Sequence, residues 1–191
     1  MRETLHRFDN RGFTLIEILI AVVVISIVAV VVVPRFTHFF SGTRENFSVT
    51  LGMITKTFDD SFINNRINYL TLHLHSPDSE EIESTLENKI FQRRNGISVV
   101  NLIKGEFKDN KRRLLKFKKF PESFKLEEVV LSSGEVITEG NVLIPFYPQG
   151  FSDNIIIHIL INDEERWSVR NFKHQKEPAK FREYINFDKD K

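Results

Sequence analysis

Hydrophobic positions fall into three regimes along the chain. Residues 13–33 read FTLIEILIAVVVISIVAVVVV, apolar on every side of a helix, with one charge at Glu17 and a hydroxyl at Ser26. A run of 21 residues is long enough to cross a hydrocarbon layer of about 30 Å at roughly 1.5 Å per residue. From Phe47 the apolar residues Phe47, Leu51, Ile54, Phe58 and Phe62 recur at spacings of three and four, a one-sided helical stripe. Thr50, Lys56, Asp59, Asp60 and Asn64 are assigned to the other faces. The two segments predict one helix from Phe13 to about Asn65, roughly 80 Å long, with a kink expected at Pro34, where the ring removes a hydrogen bond and crowds the preceding turn.

Beyond Arg66 the period drops to two. Tyr69–His75 alternates as a strand, and further strands are predicted at 97–103, 112–118, 123–131, 142–147, 154–161 and 166–172. Asn95-Gly96, Ser133-Gly134, Glu139-Gly140 and Pro148-Gln149-Gly150 punctuate them. Residues 79–92 read as a short helix, and the tail from Lys173 as charged and loosely held, with Phe181 and Tyr184–Phe187 able to dock. The expected fold is α+β: a long N-terminal helix packed on a C-terminal β-sandwich or curled antiparallel sheet. The expected division is 1–12, 13–33, 34–66 and 67–191.

Composition narrows the chemistry. The 191 residues contain no cysteine, which excludes disulfides, thiolate catalysis and cysteine-based zinc sites; eighteen phenylalanines supply the core instead. Net charge is +1, so no global pull toward nucleic acid exists. Residues 1–12 carry Arg2, Arg7 and Arg11, which by the positive-inside rule keeps this end cytoplasmic. These 12 residues account for three of the 27 basic and two of the 26 acidic side chains, leaving 24 of each.

A secretory signal peptide would end its apolar run at a small-x-small cleavage site. Here the run exits into Val33-Pro34-Arg35-Phe36. A plain signal anchor leaves Glu17 unexplained, because a carboxylate near the centre of a membrane helix costs roughly 2.5–3.5 kcal/mol. Arg11-Gly12-Phe13-Thr14-Leu15-Ile16-Glu17 followed by the apolar run resembles the N-terminal motif of type IV pilins and pseudopilins. The resemblance implies a leader of residues 1–12, cut by a prepilin peptidase between Gly12 and Phe13, and methylation of the Phe13 amine. It also implies that Glu17 pairs with that amine on a neighbouring subunit, and it puts Pro34 where the family places a helix proline. The partners implied are the prepilin peptidase, the inner membrane and other pilins or pseudopilins, with the head on the periplasmic side. A second resemblance, to the H-type minor pseudopilin of type II secretion and FimT-like minor pilins, rests on the helix running into a β-rich head. It rests also on the late hairpin Phe146-Tyr147-Pro148-Gln149-Gly150; residues 76–95 read as an insertion. The absence of cysteine departs from the bridged loop of major pilins. The expected function is therefore that of a minor pseudopilin. The alternatives are a minor type IV pilin serving initiation, adhesion or DNA uptake, and an anchored binding domain that never assembles.

Other sites are weighed and set aside. His73 and His75, with Asp78, give too few convergent ligands for a metal, and a solvated strand face is preferred. Lys108–Lys119 holds seven basic residues, with Phe117 and Phe120 interleaved, yet edge-strand protection accounts for them, with Glu122, Glu127, Glu128, Glu135 and Glu139 available to neutralise them. Asp188 and Asp190 are too few for a calcium loop. No nucleophile-elbow, zincin or phosphate-loop motif occurs, so neither enzyme activity, a cofactor nor a metal is expected, and nucleic acid is not an expected partner.

Overall fold

The structure, a computed structural model, describes residues 15–75 and 89–187, with side chains for all of these except 29–41. The chain divides into two compact units, Met1–Gly42 and Thr43–Lys191. Helix α1 runs from Leu15 to Ile63. In the first unit its side chains from Leu15 to Val28 are exposed on every side. In the second unit it ends in a Schellman motif. The Arg66 amide donates to the Ser61 carbonyl and the Asn65 amide to Phe62, while Asn65 takes φ 45°. Asparagine tolerates this left-handed position better than most residues, so the helix stops two residues before the predicted point.

Two antiparallel sheets follow. In sheet A, β1 (Asn68–His73) lies between β2 (Gly96–Ile103) and β7 (Asn141–Tyr147). The far side of β2 pairs with β3 (Glu106–Asp109) and with the two-residue β4 (Lys118–Lys119), and β7 pairs with β8 (Phe151–Ser152). Sheet B runs β11 (Ala179–Phe181), β10 (Glu165–Asn171), β9 (Ile155–Ile161), β5 (Phe124–Leu131), β6 (Val136–Ile137). Alternate residues of both sheets and one face of α1 enter a single core: Leu70 and Leu72, Ile97 and Val99, Ile144 and Phe146, Leu126 and Val129, Ile157 and Ile159, with Phe47, Met53 and Ile54 from the helix. The architecture is thus α+β with a two-sheet head.

The sheets are also stitched along one edge by backbone. The His75 amide donates to the Leu126 carbonyl at 2.8 Å. Asn95, buried, offers its side-chain amide to the carbonyls of Phe124 and Pro121 and accepts from the Leu126 amide, so it replaces the missing strand neighbour of β5.

Most strands fall where period two put them. Residues 112–118 do not form a strand: Arg113–Leu115 is a 3-10 turn, and only Lys118–Lys119 pairs. The cause lies one hairpin earlier. Lys104 and Gly105, at φ 54° and 83°, form a tight two-residue turn that folds Glu106–Asp109 back on β2 and takes up that edge first. The Pro148–Gly150 turn forms as expected: the Gly150 amide donates to the Tyr147 carbonyl, with Gly150 at φ 84°.

As far as Phe187, the described part of the tail is docked. β11 pairs with β10, the Ser168 hydroxyl donates to the Glu183 carbonyl and accepts from the Ile185 amide, and Tyr184 stacks on His158 at 4.2 Å and 3°. His158 Nδ1 faces the Glu128 carboxylate at 2.6 Å and Nε2 the Ile185 carbonyl at 2.8 Å. This packing buries Ile156 and His158, the outward residues of β9. The expected short helix at 79–92 lies outside the described residues except for 89–92, which form a turn.

Gly96 allows the edge to close. A Cβ there would sit 2.6 Å from the Lys118 carbonyl and 2.5 Å from Phe117 Cε2. Gly96→Ala is expected to detach β4 and cost about 1–3 kcal/mol. Thermal unfolding of the full chain measures the loss, and an unchanged midpoint would mean the edge is not closed this way.

Candidate functional site

Glu17 lies in the first turn of α1, where the positive end of the helix dipole favours a carboxylate. Around it Leu15, Ile16, Ile18, Leu19 and Ile20 are all exposed. A helix apolar on all sides has no core of its own and needs lipid or other helices to cover it. Ser26 returns its hydroxyl to the Val22 carbonyl at 2.7 Å, so it makes no outward demand. Gly12 and Phe13 lie outside the described residues. Pro34 falls within α1, which continues through it, and its side chain is among those not described. Among the described residues, no helix is long and apolar enough to cross a membrane; of the predicted span 13–33, side chains are described for 15–28 only.

The end of α1 carries a polar lock that periodicity did not reveal. Asp60 is 1% exposed, although the apolar stripe assigned it to another face. Its carboxylate accepts from Arg66 Nη2 at 2.8 Å, Arg112 Nε at 2.8 Å, Asn68 Nδ2 at 2.9 Å and Asn64 Nδ2 at 2.9 Å. Asn101 extends the network by donating to Asn68. Burial raises the Asp60 carboxyl, and the hydrogen bonds from Arg66 and Asn68, with the charges of Arg66 and Arg112, more than reverse this, so it ends below its ordinary range. Thr50 and Thr57 are buried too, their hydroxyls satisfied by the Asn46 and Met53 carbonyls one turn back. The buried face therefore runs through Phe47, Thr50, Ile54, Thr57 and Ser61, and Phe62 is left 66% exposed. No sequence signal separates such satisfied polar residues from solvated ones.

His73 is likewise buried, not solvated, at 0% exposure. Nδ1 bonds Asn141 Oδ1, whose own Nδ2 donates to the Phe91 carbonyl at 2.7 Å; Nε2 meets Ser98 Oγ at 2.9 Å. Phe117 closes over the ring edge-on at 5.3 Å. The fixed Asn141 oxygen makes Nδ1 the donor, which leaves Nε2 to accept from Ser98. Desolvation lowers the imidazole to about 4, with Asn141 opposing and Arg93 and Arg94 assisting. Both ring nitrogens are thus taken up by hydrogen bonds within the head. Among the described residues no group of three or more His, Cys, Asp or Glu could hold a metal ion; Asp78, Asp188 and Asp190 lie outside them.

This imidazole has a stability consequence. The folded state refuses a proton that the unfolded chain binds near pH 6.5, so stability falls as pH drops from about 6.5 to about 4. The full effect is about 3 kcal/mol. Urea unfolding at intervals across that window measures it, and His73→Gln is expected to flatten the slope. An equal slope in both proteins would contradict the assignment.

The basic run lies along the edge made by β3 and β4. Lys108 pairs with Glu106 at 3.1 Å and Arg112 with Asp60, while Lys111, Arg113, Lys118 and Lys119 are exposed and form no ion pair with a described residue. Of the five acids expected to neutralise the run, three are engaged elsewhere, Glu122 with His75, Glu128 with His158 and Glu127 with Tyr184, and Glu135 and Glu139 form no ion pair with a described residue.

Residues 7–33 match the prokaryotic N-terminal methylation motif. The N-terminal segment thus carries the motif that its residues resemble. In fold, the chain is similar to the minor pseudopilin EpsH from the type II secretion system of Vibrio cholerae, which superposes with a TM-score of 0.51 over 76% of this chain and 99% of that one, at 8% identity. Another structure of EpsH gives 0.47 over 74% and 96%, also at 8%. At such identity the likeness is one of fold. No curated protein matches the sequence. The pilin-like motif takes in Gly12, Phe13, Glu17 and the apolar run as far as Val33. The Asp60 lock and the buried His73 layer lie beyond it, in the head.

Proposed function

We propose that the chain is a minor pseudopilin of a type II secretion system. It is cut after Gly12 and methylated at Phe13 by a prepilin peptidase, held in the inner membrane by a single pass, and assembled with other pseudopilins into a periplasmic filament that drives protein export. Its role is structural, and no catalytic step is assigned to it. The observation that carries the reading is the pairing of an N-terminal methylation motif with a head of the EpsH fold. The charge pattern supports it: Arg2, Arg7 and Arg11 precede the apolar run, and the head follows. Glu17 serves register and recruitment. Inside lipid, its carboxylate is stabilised by the Phe13 amine of the adjacent subunit far better than it is alone.

Filament isolation tests this. Pseudopili and type IV pili are purified from cells that make both, and each is probed for this chain. The reading expects the chain in the pseudopilus. Recovery in pili alone would favour a minor pilin, and absence from both an anchored domain that does not assemble.

A further inference from the structure

Between the last turns of α1 and the 3-10 turn Arg113–Leu115 lies a pocket of about 350 Å³, lined by Lys56, Asp59, Ile63, Arg112, Arg113 and Leu114. Of its three aliphatic side chains Leu115 is buried, but the other two are left in water: Ile63 is 70% and Leu114 65% exposed. Both sit outside the core, and no described residue covers them, so covering them is a gain that a partner can supply. Its rim is cationic. Lys56, Arg112, Arg113 and Lys176 gather against two carboxylates: Asp59, bonded by Lys176 at 2.6 Å and more loosely by Lys56 at 3.7 Å, and Asp60, bonded by Arg112. Arg113 has no acidic partner among the described residues, and Lys111 beside it has none either.

We propose that this pocket is a docking site for an acidic segment of a partner protein, which seats one apolar side chain on Ile63 and Leu114 and sets its carboxylates against Arg113 and Lys56. Charge complementarity identifies the occupant: the rim selects negative charge, and the aliphatic floor selects a side chain rather than a bare anion. Single-stranded nucleic acid fits less well, because the aromatics near the basic run are already occupied. Phe117 is held between His73 and the Arg93 guanidinium, and Phe107 packs edge-on against Tyr69 and Phe91. Neither offers a free face on which a base could stack. Under the function proposed above, on which this identification of the partner rests, the acidic segment belongs to another subunit of the filament.

The test uses the full chain in detergent and a fluorescein-labelled peptide with one leucine flanked by two glutamates on each side, read by anisotropy. An all-glutamine analogue is expected to bind about tenfold more weakly, and binding is expected to weaken as salt rises. Arg113→Glu is expected to cost about tenfold and Leu114→Ala about fivefold, whereas Lys125→Glu, on sheet B, leaves affinity unchanged. Both pocket residues are exposed, so thermal midpoints should be preserved, which separates lost binding from lost fold. The proposal is overturned by equal binding of the two peptides, by no effect of Arg113→Glu, or by no binding at about millimolar peptide. It is overturned as well if oligothymidylate or anionic vesicles bind more tightly and with the same dependence on Arg113. Cleavage after Gly12, measured separately by mass, reports on the filament reading without touching this result.

Discussion

A Glu17→Ala chain, expressed with its prepilin peptidase, is expected to be cut after Gly12 as efficiently as the unaltered chain and then to be lost from the filament. The substitution removes a charge from a helix whose neighbours are all apolar and exposed, so membrane insertion becomes easier, not harder. What disappears, on the proposed reading, is the carboxylate that pairs with the cationic N-terminus of the next subunit. An ion pair in that medium is worth at least a few kcal/mol relative to either charge alone, and each 1.4 kcal/mol is about tenfold in an equilibrium. Incorporation should therefore fall by about a hundredfold. Glu17→Gln should fall nearly as far, since the amide keeps the shape and drops the charge. Sheared filament fractions, blotted for this chain against the membrane pool, give the ratio. Incorporation at the unaltered level would remove Glu17 from assembly.

Asp60→Ala is expected to destabilise the head strongly. It empties a buried position on which five donors converge, Asn110 at 3.4 Å being the fifth, and strands Asn68, itself buried against Ser61. Arg66 and Arg112 are half exposed and can turn to water, which moderates the loss. The expected cost is about 2–4 kcal/mol, a fall of roughly 6–12 °C in midpoint for a chain of this size. Phe62→Ala, at the position the apolar stripe favoured, should cost less than about 1 kcal/mol because the ring is mostly in water. The acid limb follows the same residue. Asp60 and Asp109 are both held below the ordinary carboxylate range, Asp109 through its paired bonds from Arg93 and despite its burial. Their stabilisation is complete above the unfolded carboxylate pKa and is lost as pH falls through their folded values, below the window in which His73 acts. Thermal melts of the two variants decide the comparison, and a larger loss for Phe62→Ala would reverse the assignment of the buried face.

The sequence was most legible where one physical signal dominated. The apolar run, its glutamate and the glycine before them needed no tertiary information, and the long helix and most strands followed from periods of 3.6 and two. It was least legible where polar residues are buried by satisfaction. Asp60 looks solvent-facing until Arg66, Arg112 and Asn68 are brought around it, and two of those come from β1 and from the loop after β3. His73 looks like one member of a solvated pair until Asn141 and Ser98 take both nitrogens. The strand expected at 112–118 was displaced by a Lys104-Gly105 turn whose positive φ values a lysine-glycine pair only weakly advertises. The tail docks through backbone carbonyls of Glu183 and Ile185, atoms every residue shares, so its composition could not announce the contact.

Everything proposed for Glu17 needs a free cation at Phe13, which exists only if the leader is removed. Intact-mass measurement of the chain from membranes containing prepilin peptidase tests this in one step. A polypeptide that starts at Phe13 and carries one added methyl group is the result the account predicts. One that retains Met1–Gly12 under the same conditions would contradict it.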